Sequence, residues 1–208
     1  MGDISLNSPP CPACAKAPRA PKEFFNGKHR YEHWYRDNTV YFITSRCKDQ
    51  FLAFATEEAK AIFWDRFFYW TAFYGFVPFV TTLIGNHYHT LGYLKDGKNL
   101  GPMMQKIHGS VAKLVNDLLP TRLKPFWRDS RDKDYFDGCI RDVLQFRRAY
   151  RYTLTQAVRH KLCRDWRNYR DTTVNVDLEI AVKRATELKA FLEEVPYSRY
   201  ERNRIRRS

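Results

Sequence analysis

Phe79-Val80-Thr81-Thr82-Leu83-Ile84-Gly85-Asn86-His87-Tyr88-His89-Thr90-Leu91-Gly92-Tyr93-Leu94 is the stretch that decides the fold. The β-branched and aromatic residues on either side of Gly85-Asn86 read as two strands joined by a turn. Alternate side chains of a strand share a face, so His87 and His89 stand together with Tyr88 turned to the other side. Two neutral imidazoles so placed can hold one divalent ion if a third ligand arrives from elsewhere. They can equally be a pair of solvated or hydrogen-bonded histidines, and a three-residue motif leaves both readings open.

Working outward, Thr39 to Ser45 reads as a first strand. Glu57-Glu58 open a helix that Gly75 ends, with Ile62, Phe63, Phe67, Trp70, Thr71 and Tyr74 along an apolar stripe. The strand from Phe76 to Ile84 should bend near Pro78, and the histidine strand runs from His87 to Leu94. A second helix is expected over about 101–119, with Met104, Ile107, Val111, Leu114 and Leu118 on one side and Pro120 as its stop. Phe126-Trp127 enters a short strand, 128–134 is a charged loop, and 136–141 is the last strand. Asp142 caps a helix expected to continue to about His160, burying Phe146, Ala149, Thr153 and Ala157. Tyr152 and Gln156 lie one turn apart on its other face, which sets a phenol beside a carboxamide. A further helix is expected over about 176–194. Strand, helix, strand, strand, helix, strand, helix is an α+β order that predicts an antiparallel sheet with helices on one side.

The motifs resemble those of the REP-associated tyrosine transposases, within the single-tyrosine HUH transposases. Ile84-Gly85-Asn86-His87-Tyr88-His89 is similar to that family's Met-Pro-Asn-His-x-His. Tyr152-Thr153-Leu154-Thr155-Gln156-Ala157-Val158-Arg159-His160-Lys161-Leu162 is similar to its Tyr-Ile-x-x-Asn-Pro-Val-x-x-Gly-Leu. Between them, Phe126-Trp127 and Tyr135 to Asp142 resemble its Phe-Trp and Tyr-x-x-x-x-Ile-Arg-Asp segments. Gly85 departs from the usual proline, and Gln156-Ala157 from Asn-Pro; glutamine keeps an amide oxygen at the third-ligand position. The resemblance implies a ferredoxin-like, RRM-like HUH endonuclease core with the histidine strand mid-sheet, facing the tyrosine helix. It implies Tyr152 as nucleophile, His87, His89 and Gln156 as ligands of Mg²⁺ or Mn²⁺, and single-stranded or hairpin DNA from palindromic repeats as substrate. Cleavage and rejoining would pass through a 5′-phosphotyrosine. A homodimer with shared sites is one arrangement the resemblance allows.

Composition agrees with such a partner. The 208 residues carry 36 Lys and Arg against 23 acids, a formal charge of +13, which points to a polyanion and to nucleic acid before a membrane surface. The chain divides into a basic, proline-rich arm over 1–30, a transposase-like domain over 31–170, a C-terminal helix within 171–195 and a basic tail over 196–208. No apolar run is long enough to span a bilayer and no signal peptide is visible, so a cytoplasmic protein is expected. Five cysteines, at 11, 14, 47, 139 and 163, are too scattered for a disulfide framework; Cys11 and Cys14 have the spacing of half a zinc site, and the other half is missing. Tyr150 and Tyr135 are rival nucleophiles. A non-catalytic nucleic-acid binding module on the same fold is the rival function.

Overall fold

The structure is a computed structural model that describes residues 35–127 and 134–191. The arm over 1–30, Cys11 and Cys14 within it, and the tail over 196–208 lie outside the described residues.

Five strands form one antiparallel sheet: β1 (Thr39–Arg46), β2 (Phe76–Ile84), β3 (His87–Leu94), β4 (Phe136–Cys139) and β5 (Thr172–Val174), in the order β4-β1-β3-β2-β5. The histidine strand β3 is therefore central. β2 shifts register between Pro78 and Val80, where proline cannot donate to the ladder. Gly92 lies in the same part of the hairpin, and a Cβ there would come within 2.6 Å of the Val77 carbonyl, so the two strands approach closely only because it is glycine.

Helix α1 (Glu57–Tyr74) begins and ends where local chemistry dictates. The Thr56 hydroxyl accepts from Ala59 N, two acids occupy the first turn, and Gly75 closes the helix at φ 74°. Helix α2 (Leu100–Asn116) stops before the expected 119, because the Asn116 side chain clasps the following loop, accepting from Leu123 N at 2.7 Å and donating to Leu123 O at 3.2 Å. Its buried stripe is Met103, Met104, Ile107, Val111 and Val115, so Leu114 and Leu118, expected inside, are exposed.

Helices cover both faces of the sheet, not the single face expected. Phe63 and Phe67 of α1 and Met103, Met104 and Ile107 of α2 pack with Tyr41, Ile43, Leu83 and Tyr88 in one core. On the opposite face, α3 (Val143–Leu154) and α5 (Leu178–Glu187) bury Phe146, Tyr150, Ala181 and Ala185 against Val40, Val80 and Leu91. Alternation along the strands decides the assignment: Tyr88 points to the first core, and Leu91, in step with His87 and His89, to the second.

The segment after 170 brings a strand as well as the expected helix. β5 pairs with β2, and Asp171 at its start is buried, accepting from the Trp64 indole at 3.1 Å and ion-paired with Lys60 at 3.0 Å. A three-residue strand is too short to leave a periodic signal in sequence.

The helix expected to run from Asp142 to His160 breaks at Thr155 (φ −95°, ψ 10°) and resumes as α4 (Gln156–Arg159). Side chains take up three successive carbonyls at the break: Thr155 Oγ1 donates to Arg151 O, Gln156 Nε2 to Tyr152 O and Thr82 Oγ1 to Thr153 O, each at 2.8 Å. Such local bonds compete with the helical ladder and bend it.

α4 ends in a Schellman motif, with Lys161 N bonded to Val158 O at 3.0 Å and Leu162 N to Ala157 O at 2.9 Å. Lys161 takes the left-handed position at φ 59°, where the resembling motif has glycine. A lysine Cβ is crowded there. Lys161→Gly should therefore raise stability by about 0.5–1 kcal/mol, read as an increase in the urea unfolding midpoint at constant m-value.

Candidate active site

His87 and His89 open the central strand on the α3 side of the sheet, 1% and 4% exposed, with ring centroids 5.1 Å apart. Each has its Nδ1 engaged. His87 Nδ1 lies 2.6 Å from Asn86 Oδ1; the Asn86 amide nitrogen donates to Gln50 O at 2.9 Å, which fixes its oxygen as the acceptor. His87 Nδ1 therefore carries the proton and Nε2 a lone pair. His89 Nδ1 lies 2.7 Å from Thr44 Oγ1, and Thr44 is the register partner of His89 in β1. With Nδ1–H donating to that hydroxyl, each histidine keeps the lone pair on Nε2, the tautomer a metal ligand needs.

Electrostatics keeps both rings neutral. Burial, then the positive charge of Arg46 and the His160 ring, holds His87 down at about 3. His89 is pushed well below the ordinary histidine range by burial first, then by His87, Arg46, His160 and Arg159. A neutral imidazole binds a metal ion without first releasing a proton.

Gln156, the third ligand expected from the sequence, is 1% exposed. Because its Nε2 donates to Tyr152 O, the carboxamide oxygen is the end left to accept a bond or coordinate. Tyr152 stands beside His89 at 39% exposure: its ring centroid is 5.2 Å from that of His89, edge to face, and 5.9 Å from that of Phe42. The Arg159 guanidinium lies 4.9 Å from the Tyr152 ring centre. Of the four residues singled out in the sequence, His87, His89 and Tyr152 are thus linked ring to ring, and Gln156 is tied to the Tyr152 backbone across the break in the helix.

The rival tyrosines point elsewhere. Tyr150 is buried, donates to Val176 O at 2.8 Å and is pushed up to about 12 by burial. Tyr135 lies on the other side of the sheet against His108, centroids 5.8 Å apart, and burial raises it far above the usual phenol value.

Sequence reasoning missed four neighbours. His160 approaches His87 to 4.9 Å between centroids, Arg159 covers the tyrosine, Thr44 orients His89, and Arg46 stands opposite His87 across the β1–β3 ladder. His160 and Arg159 lie within the quoted tyrosine motif, eight and seven residues beyond Tyr152, a helical spacing that could have placed them on its side. Thr44 and Arg46 follow from the strand register alone. Among the described residues no group of three His, Cys, Asp or Glu could hold a metal ion.

A third buried histidine, His108, has its Nε2 3.1 Å from the Tyr88 hydroxyl beside the stacked Trp127 ring, and burial holds it at about 3. The unfolded chain protonates histidine near pH 6.5 while the native state does not, so stability is full above about 6.5 and declines as pH falls toward 3. Each such histidine should contribute about 1.4 kcal/mol per pH unit to that decline. Urea unfolding between pH 7 and 5 should show this slope, and His108→Gln should reduce it by one histidine's share.

The β1-α1-β2-β3-α2-β4 order and the strand order β4-β1-β3-β2 define the class: an α+β fold with a ferredoxin-like antiparallel sheet, extended by β5. Among solved structures, the chain is similar to that of a REP-associated tyrosine transposase bound to a REP hairpin, with a TM-score of 0.57, 14% identity, and coverage of 69% of this chain and 81% of that one. At that identity the likeness is one of fold. No family model and no curated protein sequence matches the chain. No helix among the described residues is long and apolar enough to cross a membrane.

Proposed function

We propose that this protein is a transposase-like DNA strand transferase of the REP-associated tyrosine transposase family, acting on single-stranded or hairpin DNA. The observation that carries the reading is the pair of buried histidines, His87 and His89, with the ring of Tyr152 set edge to face against His89. The shared fold with a hairpin-bound transposase and the charge of +13 support the DNA partner.

The Tyr152 hydroxyl oxygen attacks the scissile phosphorus, the bond from phosphorus to the 3′ oxygen breaks, the phenol proton passes to solvent, and the departing 3′ oxygen takes one up. The 5′ phosphate of the downstream fragment is left on Tyr152. One phosphodiester is exchanged for another, so a 3′-hydroxyl can reverse the reaction and no nucleotide cofactor is needed. Mg²⁺ or Mn²⁺ held by His87 Nε2, His89 Nε2 and the Gln156 oxygen would neutralise a non-bridging phosphate oxygen and align the phosphate, and mixed nitrogen and oxygen donors favour Mn²⁺. Asn86 and Thr44 orient the imidazoles, burial keeps them unprotonated, and Arg46 and Arg159 bring positive charge to the phosphates on either side.

The test is a denaturing gel of the protein incubated with Mn²⁺ and hairpin DNA carrying single-stranded flanks, drawn from inverted repeats near its gene and labelled 3′ of the cut. A shifted protein–DNA band that EDTA abolishes is expected. If tight binding occurs with no band under any hairpin tried, a non-catalytic nucleic-acid binding module is the better description.

A further inference from the structure

Among the described residues, the sheet face that carries the histidines is not fully roofed. α3 lies over β2 and β3, and beside it, toward the β1–β4 edge, an apolar cavity of ≈ 360 Å³ opens against Tyr152. Its floor is the sheet: Phe42 of β1, with Phe136 of β4 and Ile140 just beyond that strand. Phe42 pairs with Gly138, so the β4 residue opposite it adds no side chain to fill the space. Its wall is the α3 face bearing Gln145, Arg148 and Tyr152. This rim is polar in a particular sense. Gln145 Oε1 already accepts from Arg141 N at 2.8 Å, so its NH₂ is the group left to offer, and exposed Arg148 adds a guanidinium. The cavity therefore combines aromatic surface with donors at the edge, complementary to a planar ring that carries acceptors.

In-line displacement decides which ring could reach it. The attacking oxygen and the leaving 3′ oxygen lie on opposite sides of phosphorus, so the upstream nucleotide is on the side away from Tyr152. The downstream nucleotide hangs from an equatorial oxygen, nearer the tyrosine and the cavity on whose rim it stands. We infer that this cavity receives the base of the nucleotide immediately 3′ of the scissile phosphate, stacked on Phe136 and Phe42 and read at its edge by Gln145 and Arg148. The inference rests on Tyr152 being the nucleophile. It also gives the pocket a second role: the base would stay seated through the covalent state, keeping the linked strand in register for the reverse attack.

The test separates this pocket from the reaction by reading binding alone. The probe is a 5′-phosphorylated dT12 with a 3′ fluorophore, whose first residue mimics the downstream nucleotide and whose thymine carries two carbonyl acceptors. Its affinity in Mn²⁺ is compared with that of the same strand abasic at residue 1 or at residue 6. Loss of the first base should weaken binding roughly tenfold, and loss of the sixth much less. Phe136→Ala should erase the difference for residue 1, and exposed Arg148→Ala, which leaves the core intact, should reduce it severalfold. Equal affinities for the intact and the residue-1 abasic strands, or a preference that both variants retain, would overturn the pocket. A covalent band from the wild type alongside equal affinities would remove the pocket and leave the proposed activity standing. A residue-1 preference without any band would keep the base site and remove the activity.

Discussion

Tyr152→Phe should abolish the covalent protein–DNA band and lower strand cleavage by more than about three orders of magnitude, while folding and hairpin binding persist. The substitution removes one oxygen and keeps the ring, so the edge contacts with His89 and Phe42 and the Arg159 guanidinium over the ring all remain. Tyr150→Phe serves as the contrast. It deletes the hydroxyl that bonds Val176 O and should cost stability, about 1 kcal/mol for a lost hydrogen bond, but it should leave the band in place. If Tyr152→Phe still yields the band and Tyr150→Phe or Tyr135→Phe does not, the nucleophile has been misassigned.

The double variant His87→Ala/His89→Ala should be equally inactive for a different reason. Both imidazoles are buried and neutral, so their removal leaves no unpaired charge, but it forfeits the bonds to Asn86 and Thr44 and opens space, so the thermal midpoint should fall and binding and cleavage are to be read below it. Most DNA affinity comes from Lys and Arg on phosphates, so hairpin binding should survive, whereas Mn²⁺ binding by calorimetry should vanish together with cleavage. Because both rings are held far below the ordinary histidine range, Mn²⁺ affinity in the wild type should be nearly flat from pH 8 to about 5.5, where a solvated pair would lose it below 6.5. Full cleavage by the double variant would remove the metal reading. A steep loss of affinity near pH 6.5 would mean that the rings are not the ligands.

Features set by neighbouring residues were legible in the sequence, and features set by distant ones were not. α1 and the β2–β3 pair have the expected bounds because Thr56, Gly75 and Gly85-Asn86 act on the residues beside them. The pairing of His87 with His89 needs only strand alternation. In contrast, the break at Thr155 depends partly on Thr82, 71 residues away, and the orientation of His89 depends on Thr44, which no spacing rule connects to it. The exposed Leu114 and Leu118 reflect the same limit: helix periodicity gives the apolar stripe, but the angle at which α2 meets α1 and the sheet decides which edge of it is buried. The second helical layer was hidden because the sequence marks α3 as amphipathic without saying which side of the sheet it lies on.

The interruption at Thr155 has a consequence for the timescale of the site. The histidine amides belong to the middle strand of the sheet, bonded on both edges, and should exchange with deuterium only when the whole domain opens. Tyr152 lies in the last turn before a break where side chains hold the carbonyls of 152 and 153 and share that of 151, so its helix end is locally less stable than the central strand. Amides of residues 152–156 should therefore exchange orders of magnitude faster than those of 87–91. The protein would keep its ligands still on a slow clock and let the tyrosine, with any strand attached to it, move on a fast one.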